Sequence, residues 1–148
     1  MEKFIPIMPH KAKHMLGVAL HMSKMAYKFG ISKEEAYILG YIHDIGYIKG
    51  REGHPSAGAE SLRTCGFNED FVNAIKYHGS KPEDIPEEYI TPYLLCLWDG
   101  DCSVDTIGND VGYRKRLRDI QKRYGLHSIA DETMRSQIKY VKEYLGFN

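Results

Sequence analysis

Several polar side chains of this sequence fall where a folding chain would place apolar ones. His14 stands four residues before Val18 on an apolar helical stripe, so it leans towards the buried face. His43 and Asp44 close the apolar stripe Ala36, Leu39, Ile42, just before Gly46. Asp101 follows Leu94, Leu97 and Trp98 at offsets of seven, four and three, which puts it on their helical face. A carboxylate there is costly to bury unless something positive compensates it. A divalent transition metal is the compensation these residue types point to. Imidazole suits zinc, iron, nickel and manganese, and carboxylates complete the shell. Asp44 could bridge two ions, and such a pair can activate a water and neutralise a phosphoryl oxygen.

The elements that must position these groups read as helices throughout. Pro9 can open a first helix that Gly30 closes, with Met15, Val18, Ala19, Met22, Ala26 and Phe29 at helical spacing. Ser32-Lys33-Glu34-Glu35 is a capping box that starts a second helix carrying Ile42 and His43. Residues 46–54, GYIKGREGH, read as a glycine-rich loop. Pro55 opens a short helix through Leu62, and Asn68 caps the next, which bears Phe71, Ile75 and His78. Residues 79–88 contain Pro82 and Pro86 and read as a loop. Thr91-Pro92 starts a nearly all-apolar, central helix. The polar turn DTIGND leads to an amphipathic helix ending at Gly125, and Ser128 caps a last helix to Leu145. No segment has a convincing period of two, so the expected fold is all-α, a bundle of about seven helices without a sheet.

Size and composition set further bounds. With 148 residues, the chain fits one domain, expected to span 1–148. Hydrophobic residues at 43% and charged residues at 27% are those of an ordinary globular protein. Zero formal net charge gives no electrostatic case for nucleic acid or membrane as the main partner. No apolar run is long enough for a membrane span or a signal peptide. Cys65, Cys96 and Cys102 are odd in number and form no CxxC, which fits a reducing, cytoplasmic setting.

The ordered set of segments resembles the HD-domain phosphohydrolases. His14, then His43-Asp44, then a late aspartate match that family's H…HD…D signature. KHMLGVALHMSKMA resembles its first-histidine helix and AYILGYIHDIGY its HD helix. HPSAGAESL and AIKYHGS resemble the two further histidine segments of members that hold two ions. LLCLWDGDCSVD resembles the helix bearing the last aspartate. The resemblance covers about residues 11–124, with a C-terminal helix over about 128–146 beyond it. It implies an HD-type helical bundle in which His14, His43, Asp44 and Asp101 hold one metal. Asp44 would bridge to a second held by His54 and His78, and His43 and Asp44 would be central to catalysis. Lys11 stands where many members have Arg, and Tyr47 and Gly79 depart from the cyclic-dinucleotide branch, so such a substrate is not expected.

Alternatives accompany these assignments. His10 and His21 share nearly the stripe of His14, and Asp99, on the face of Leu95 and Cys96, competes with Asp101. Lys49, Arg51 and Lys81 lie in loops beside the proposed ligands and could bind phosphate or be solvated charges. Arg114, Arg118 and Lys122 form a stripe that reads as a solvated face. The expected function is hydrolysis of a phosphoester or phosphoanhydride in a small nucleotide-like substrate, with a metal-bound hydroxide as nucleophile. The expected cofactor is two divalent ions, with iron, manganese, zinc and nickel not distinguished. The rivals are a di-iron oxygenase of the same fold and a non-catalytic nucleotide-binding HD module. Assembly into a homo-oligomer stays open.

Overall fold

The computed structural model describes residues 8–44, 63 and 66–146. Among them the chain is all-α. It forms α1 (Met8–Phe29), α2 (Lys33–Ile42), α3 (Glu69–Tyr77), α4 (Pro92–Asp101), α5 (Tyr113–Tyr124) and α6 (Ile129–Leu145). The expected helix from Pro55 to Leu62 lies outside the described residues. The proline-bearing stretch read as a loop instead winds into two 3-10 turns, Pro82–Asp84 and Glu87–Tyr89. Pro82 has the fixed φ that suits a first helical position, so the segment coils without becoming a true helix. The described residues include no strand, only an isolated bridge between Val104 and Asp110.

Local chemistry sets the helix ends. The side chains of Ser32, Asn68, Thr91 and Ser128 each accept the backbone N–H three residues on. The capping box at Ser32 forms only in part. Glu35 donates its N–H to Ser32 Oγ at 3.0 Å, but its carboxylate accepts the Tyr93 hydroxyl at 3.0 Å and so ties α2 to α4. Gly30 and Gly146 end α1 and α6 with positive φ.

The core is built around α4, where Leu94 through Gly100 are all buried. Val18, Met22, Ala26 and Phe29 of α1 pack there with Leu39 of α2, Phe71, Val72 and Ile75 of α3, and Val141 of α6. A second cluster, Cys102, Ile120, Met134 and Ile138, joins α5 and α6 to the end of α4. The α1–α2 pair packs closely because Gly40 lacks a side chain. A Cβ there would lie 2.7 Å from the Cα of Ala19. No helix among the described residues is long and apolar enough to cross a membrane.

Candidate metal centre

Three helix C-termini meet against the middle of α1. His43 caps the end of α2, His78 caps the end of α3, and Asp101 is the last residue of α4. The C-terminal ends of helices carry partial negative charge, so their convergence favours a cation. A side chain at a helix end also escapes the spacing that keeps neighbours apart. This is how His43 and Asp44, adjacent in sequence, face one point. His14 reaches the same place from the buried face of α1.

Each imidazole is set in one orientation by a backbone carbonyl. His43 Nδ1–H donates to Gly40 O at 2.7 Å, His78 Nδ1–H to Ile75 O at 2.6 Å, and His14 Nδ1–H to Asp105 O at 2.9 Å. A carbonyl only accepts, so the proton sits on Nδ1 in all three, and Nε2 turns to the centre. There His14 Nε2 lies 2.8 Å from Asp101 Oδ1 and 3.7 Å from Asp44 Oδ2. His43 Nε2 lies 3.3 Å from Asp44 Oδ2 and 3.4 Å from Asp101 Oδ1. His78 Nε2 lies 3.4 Å from the other oxygen of Asp44, Oδ1.

The electrostatics show why this cluster suits a cation. His43, Asp44, His14 and His78 are buried, and Asp101 is half-buried. Burial alone would push the His43 imidazole down. The carboxylates of Asp44 and Asp101 outweigh it and hold His43 well above its ordinary range. Burial would likewise push Asp44 and Asp101 up. The imidazoles of His43 and His78 around Asp44, and of His14 and His43 around Asp101, hold both well below the usual carboxylate range. The cluster therefore keeps its carboxylates ionised and draws positive charge between them, either a proton on His43 or a cation that takes its place. Among the described residues, buried His43 Nε2 makes no well-directed hydrogen bond and has only the two carboxylates nearby, the setting of an atom that a metal ion satisfies. Two overlapping donor sets fit an ion, His14–His43–Asp101 and His43–Asp44–His78, each with ligand atoms within 4.8 Å of one another.

The structure thus brings together His14, His43, Asp44, His78 and Asp101 of the sequence-derived set. His54, Lys49 and Arg51 lie outside the described residues. Lys81 Nζ stands 3.6 Å from Glu132 Oε1. Asp101, not Asp99, faces the cluster, because Asp99 Oδ2 turns to His21 Nε2 at 2.7 Å. His21 is correspondingly drawn away from the centre. Arg114, Arg118 and Lys122 are exposed, as a solvated stripe requires.

Sequence reasoning missed two buried residues. Arg116 donates from Nε to the Asp101 carbonyl at 3.1 Å. Gln137 donates from Nε2 to the carbonyls of His78 and Ser80, both at 2.9 Å. Their signal was helical phase. Arg116 stands four residues before buried Ile120, and Gln137 lies on the Met134, Ile138, Val141 stripe. The Trp98 indole N–H also donates to the His78 carbonyl, at 3.0 Å.

A family model described as "HD domain" matches residues 12–103, a span that holds His14, His43, Asp44, His54, His78 and Asp101. The chain belongs to the HD domain family. HD domains are in general metal-dependent phosphohydrolases and bind divalent metals. Curated relatives share this HD domain. Ribonuclease Y of Thermotoga maritima is 36% identical over 78 residues, 50% of this chain and 15% of that protein. Ribonuclease Y of Rhodopirellula baltica is 33% identical over 100 residues, 65% of this chain and 18% of that protein. Ribonuclease Y of Thermosipho melanesiensis is 31% identical over 80 residues, 52% of this chain and 16% of that protein. The chain therefore spans less than a fifth of the length of these relatives. No solved structure matches it significantly. The matched HD span stops before Asp105, Arg116 and Gln137, three residues that hold the ligand-bearing segments in place.

Proposed function

We propose that this chain is a metal-dependent hydrolase of phosphoester or phosphoanhydride bonds in a small nucleotide-like substrate. The observation that carries this reading is the divided carboxylate of Asp44. One oxygen faces His14 and His43, the other faces His78. A carboxylate so placed is suited to span two divalent ions, iron, manganese, zinc or nickel. His14, His43 and Asp101 would hold the first, and His78 with His54 the second. Such a pair, when bound, supplies an activated water and positive charge for the phosphoryl oxygens.

The chain's own residues do the rest. The carbonyls of Gly40, Ile75 and Asp105 keep the protons on Nδ1, so all three Nε2 atoms remain donors to metal. Burial of His43 and Asp44 keeps bulk water from competing at the floor of the site. Lys49, Arg51 and Lys81 would meet the substrate phosphate. Zero net charge favours a small substrate over a long polyanion.

The names of the relatives favour a second reading, in which the bond is a phosphodiester of RNA. The test is metal analysis of protein purified without chelator, followed by paired assays on mononucleotides, dinucleoside polyphosphates and short oligoribonucleotides. Metal-dependent release from the small nucleotides supports the first reading, and preferential shortening of the oligoribonucleotides supports the second. A metal-loaded chain that hydrolyses none of them overturns both.

A further inference from the structure

Two turns beyond His14, on the same stripe of α1, stands His21. Its imidazole is held at both nitrogens. Nε2 lies 2.7 Å from Asp99 Oδ2, and Nδ1 lies 2.5 Å from Asp110 Oδ2. Carboxylates at both nitrogens call for a proton on each, which makes the ring an imidazolium. Burial alone would lower its pKa, but Asp99 and Asp110 outweigh this and raise it above 6.5. The other oxygen of Asp99 accepts the hydroxyl of Tyr113. His21 therefore ties together α1, α4 and the turn that follows α4.

That turn is well ordered by its own bonds. Asp105 Oδ1 accepts the N–H of Ile107 at 3.1 Å and of Asn109 at 2.9 Å. Asp105 N–H donates to Asn109 O at 2.9 Å, and Val111 N–H donates to Ser103 O at 2.8 Å. The turn also presses directly on α1. A Cβ on Gly17 would lie 2.5 Å from Gly108 O and 2.7 Å from Val104 Cγ1. One turn thus touches α1 at three successive positions of a single stripe. Asp105 O meets His14, Gly108 meets Gly17, and Asp110 meets His21.

We propose that His21 is a positioning residue for the metal centre: by bridging Asp99 and Asp110 it clamps the 103–112 turn onto α1 and so keeps the Asp105 carbonyl on the Nδ1–H of His14. The proposal rests on the reading of His14 as a metal ligand. The two carboxylates need a cation between them. Without it, Asp99 and Asp110 repel across the gap, and the half-exposed turn lifts from α1. The Asp105 carbonyl moves with the turn, and His14 loses the acceptor that fixes its ring. A ligand that loses such a partner binds metal about 10- to 100-fold more weakly.

The experiment uses His21→Gln and Asp110→Asn, each compared with wild type. Asp110→Asn alters the more exposed end of the clamp, so it tests the clamp even if His21→Gln fails to fold. Two quantities are read: cobalt(II) affinity by optical titration, and the His14 Nδ1–H resonance of metal-free protein by NMR. The clamp predicts cobalt binding weakened about 10- to 100-fold in the variants, with the His14 resonance lost to solvent exchange. Wild-type affinity and an unchanged, slowly exchanging resonance in a folded variant would overturn it. If wild-type protein takes up no cobalt, the metal reading fails, while the His14 resonance still decides whether His21 holds the turn.

Discussion

Gln137, near the middle of the last helix, donates its side-chain amide to the carbonyl of His78 at 2.9 Å. That carbonyl belongs to the residue that caps α3 and turns its ring towards Asp44. The second N–H of Gln137 serves Ser80 O at 2.9 Å, and its Oε1 accepts the Cys102 thiol at 3.6 Å. A helix beyond the matched HD span therefore holds a ligand-bearing turn in place.

Replacing Gln137 with Leu should show this. The Trp98 indole would still serve the His78 carbonyl, but the Ser80 carbonyl would lose its Gln137 partner. Stability should fall by about 1–3 kcal/mol, the cost of a buried polar group left unsatisfied. Metal content should fall with it. Urea unfolding of the metal-free protein gives the first quantity, and elemental analysis the second. Full metal loading in a destabilised variant would separate the two effects and limit Gln137 to a structural role.

Asp44→Ala should lower metal content and activity together, because one carboxylate faces both donor sets. Both sets keep their remaining imidazoles, so the expected result is partial metal retention with activity lost. An Asp44→Ala protein with wild-type metal stoichiometry would refute the bridging assignment.

Asp101 and Asp99 differ by two residues and point to different partners. Asp101→Asn should reduce activity at least about tenfold more than Asp99→Asn, a difference of about 1.4 kcal/mol in barrier. Activity of the two variants measured at saturating metal checks it. The reverse order would mean that the Asp99–His21 pair acts at the reacting centre.

His21 has a raised pKa, so the sign of its linkage follows. The stability it contributes is fully present below 6.5, its ordinary value, and is lost as pH rises through the raised folded value. The stability gap between wild type and His21→Gln, both metal-loaded, should therefore narrow as the pH rises above 6.5. Thermal unfolding midpoints at rising pH provide the check. A gap that widens with pH would show that the ring is neutral in the folded protein.

Gly17→Ala should cost about 1–3 kcal/mol, since the added methyl meets backbone and not the end of a flexible side chain. Circular-dichroism melting measures this directly. A variant as stable as wild type would show that the 103–112 turn can retreat freely from α1.

The fold was legible because helix punctuation is local. Ser32, Asn68, Thr91 and Ser128 announce their helices from within three residues, and each caps as its type predicts. The convergence of His14, His43, Asp44, His78 and Asp101 was legible through their apolar settings and the HD resemblance. Helical phase leaves Asp101 and Asp99 both open, and the resemblance of the text after Asp101 to the HD family favours Asp101. What was not legible is long-range. Arg116 sits in a strongly basic run, and only burial separates it from its exposed neighbours. Glu35 looks like half of a capping box until Tyr93 arrives from α4. His21 could be read as a rival to His14, since the same stripe serves both and only the partners across the gap distinguish them.

The three imidazoles differ in what fixes their orientation. His43 and His78 each lean on a carbonyl three residues earlier, within the last turn of their own helices. Those bonds are available as soon as α2 and α3 form. His14 leans on a carbonyl 91 residues away along the chain. Bringing those ends together carries a loop-closure cost that the local bonds escape. The aim of His43 and His78 is thus set by their own helices, whereas the aim of His14 is set by the tertiary fold and holds only while the turn beyond α4 is docked.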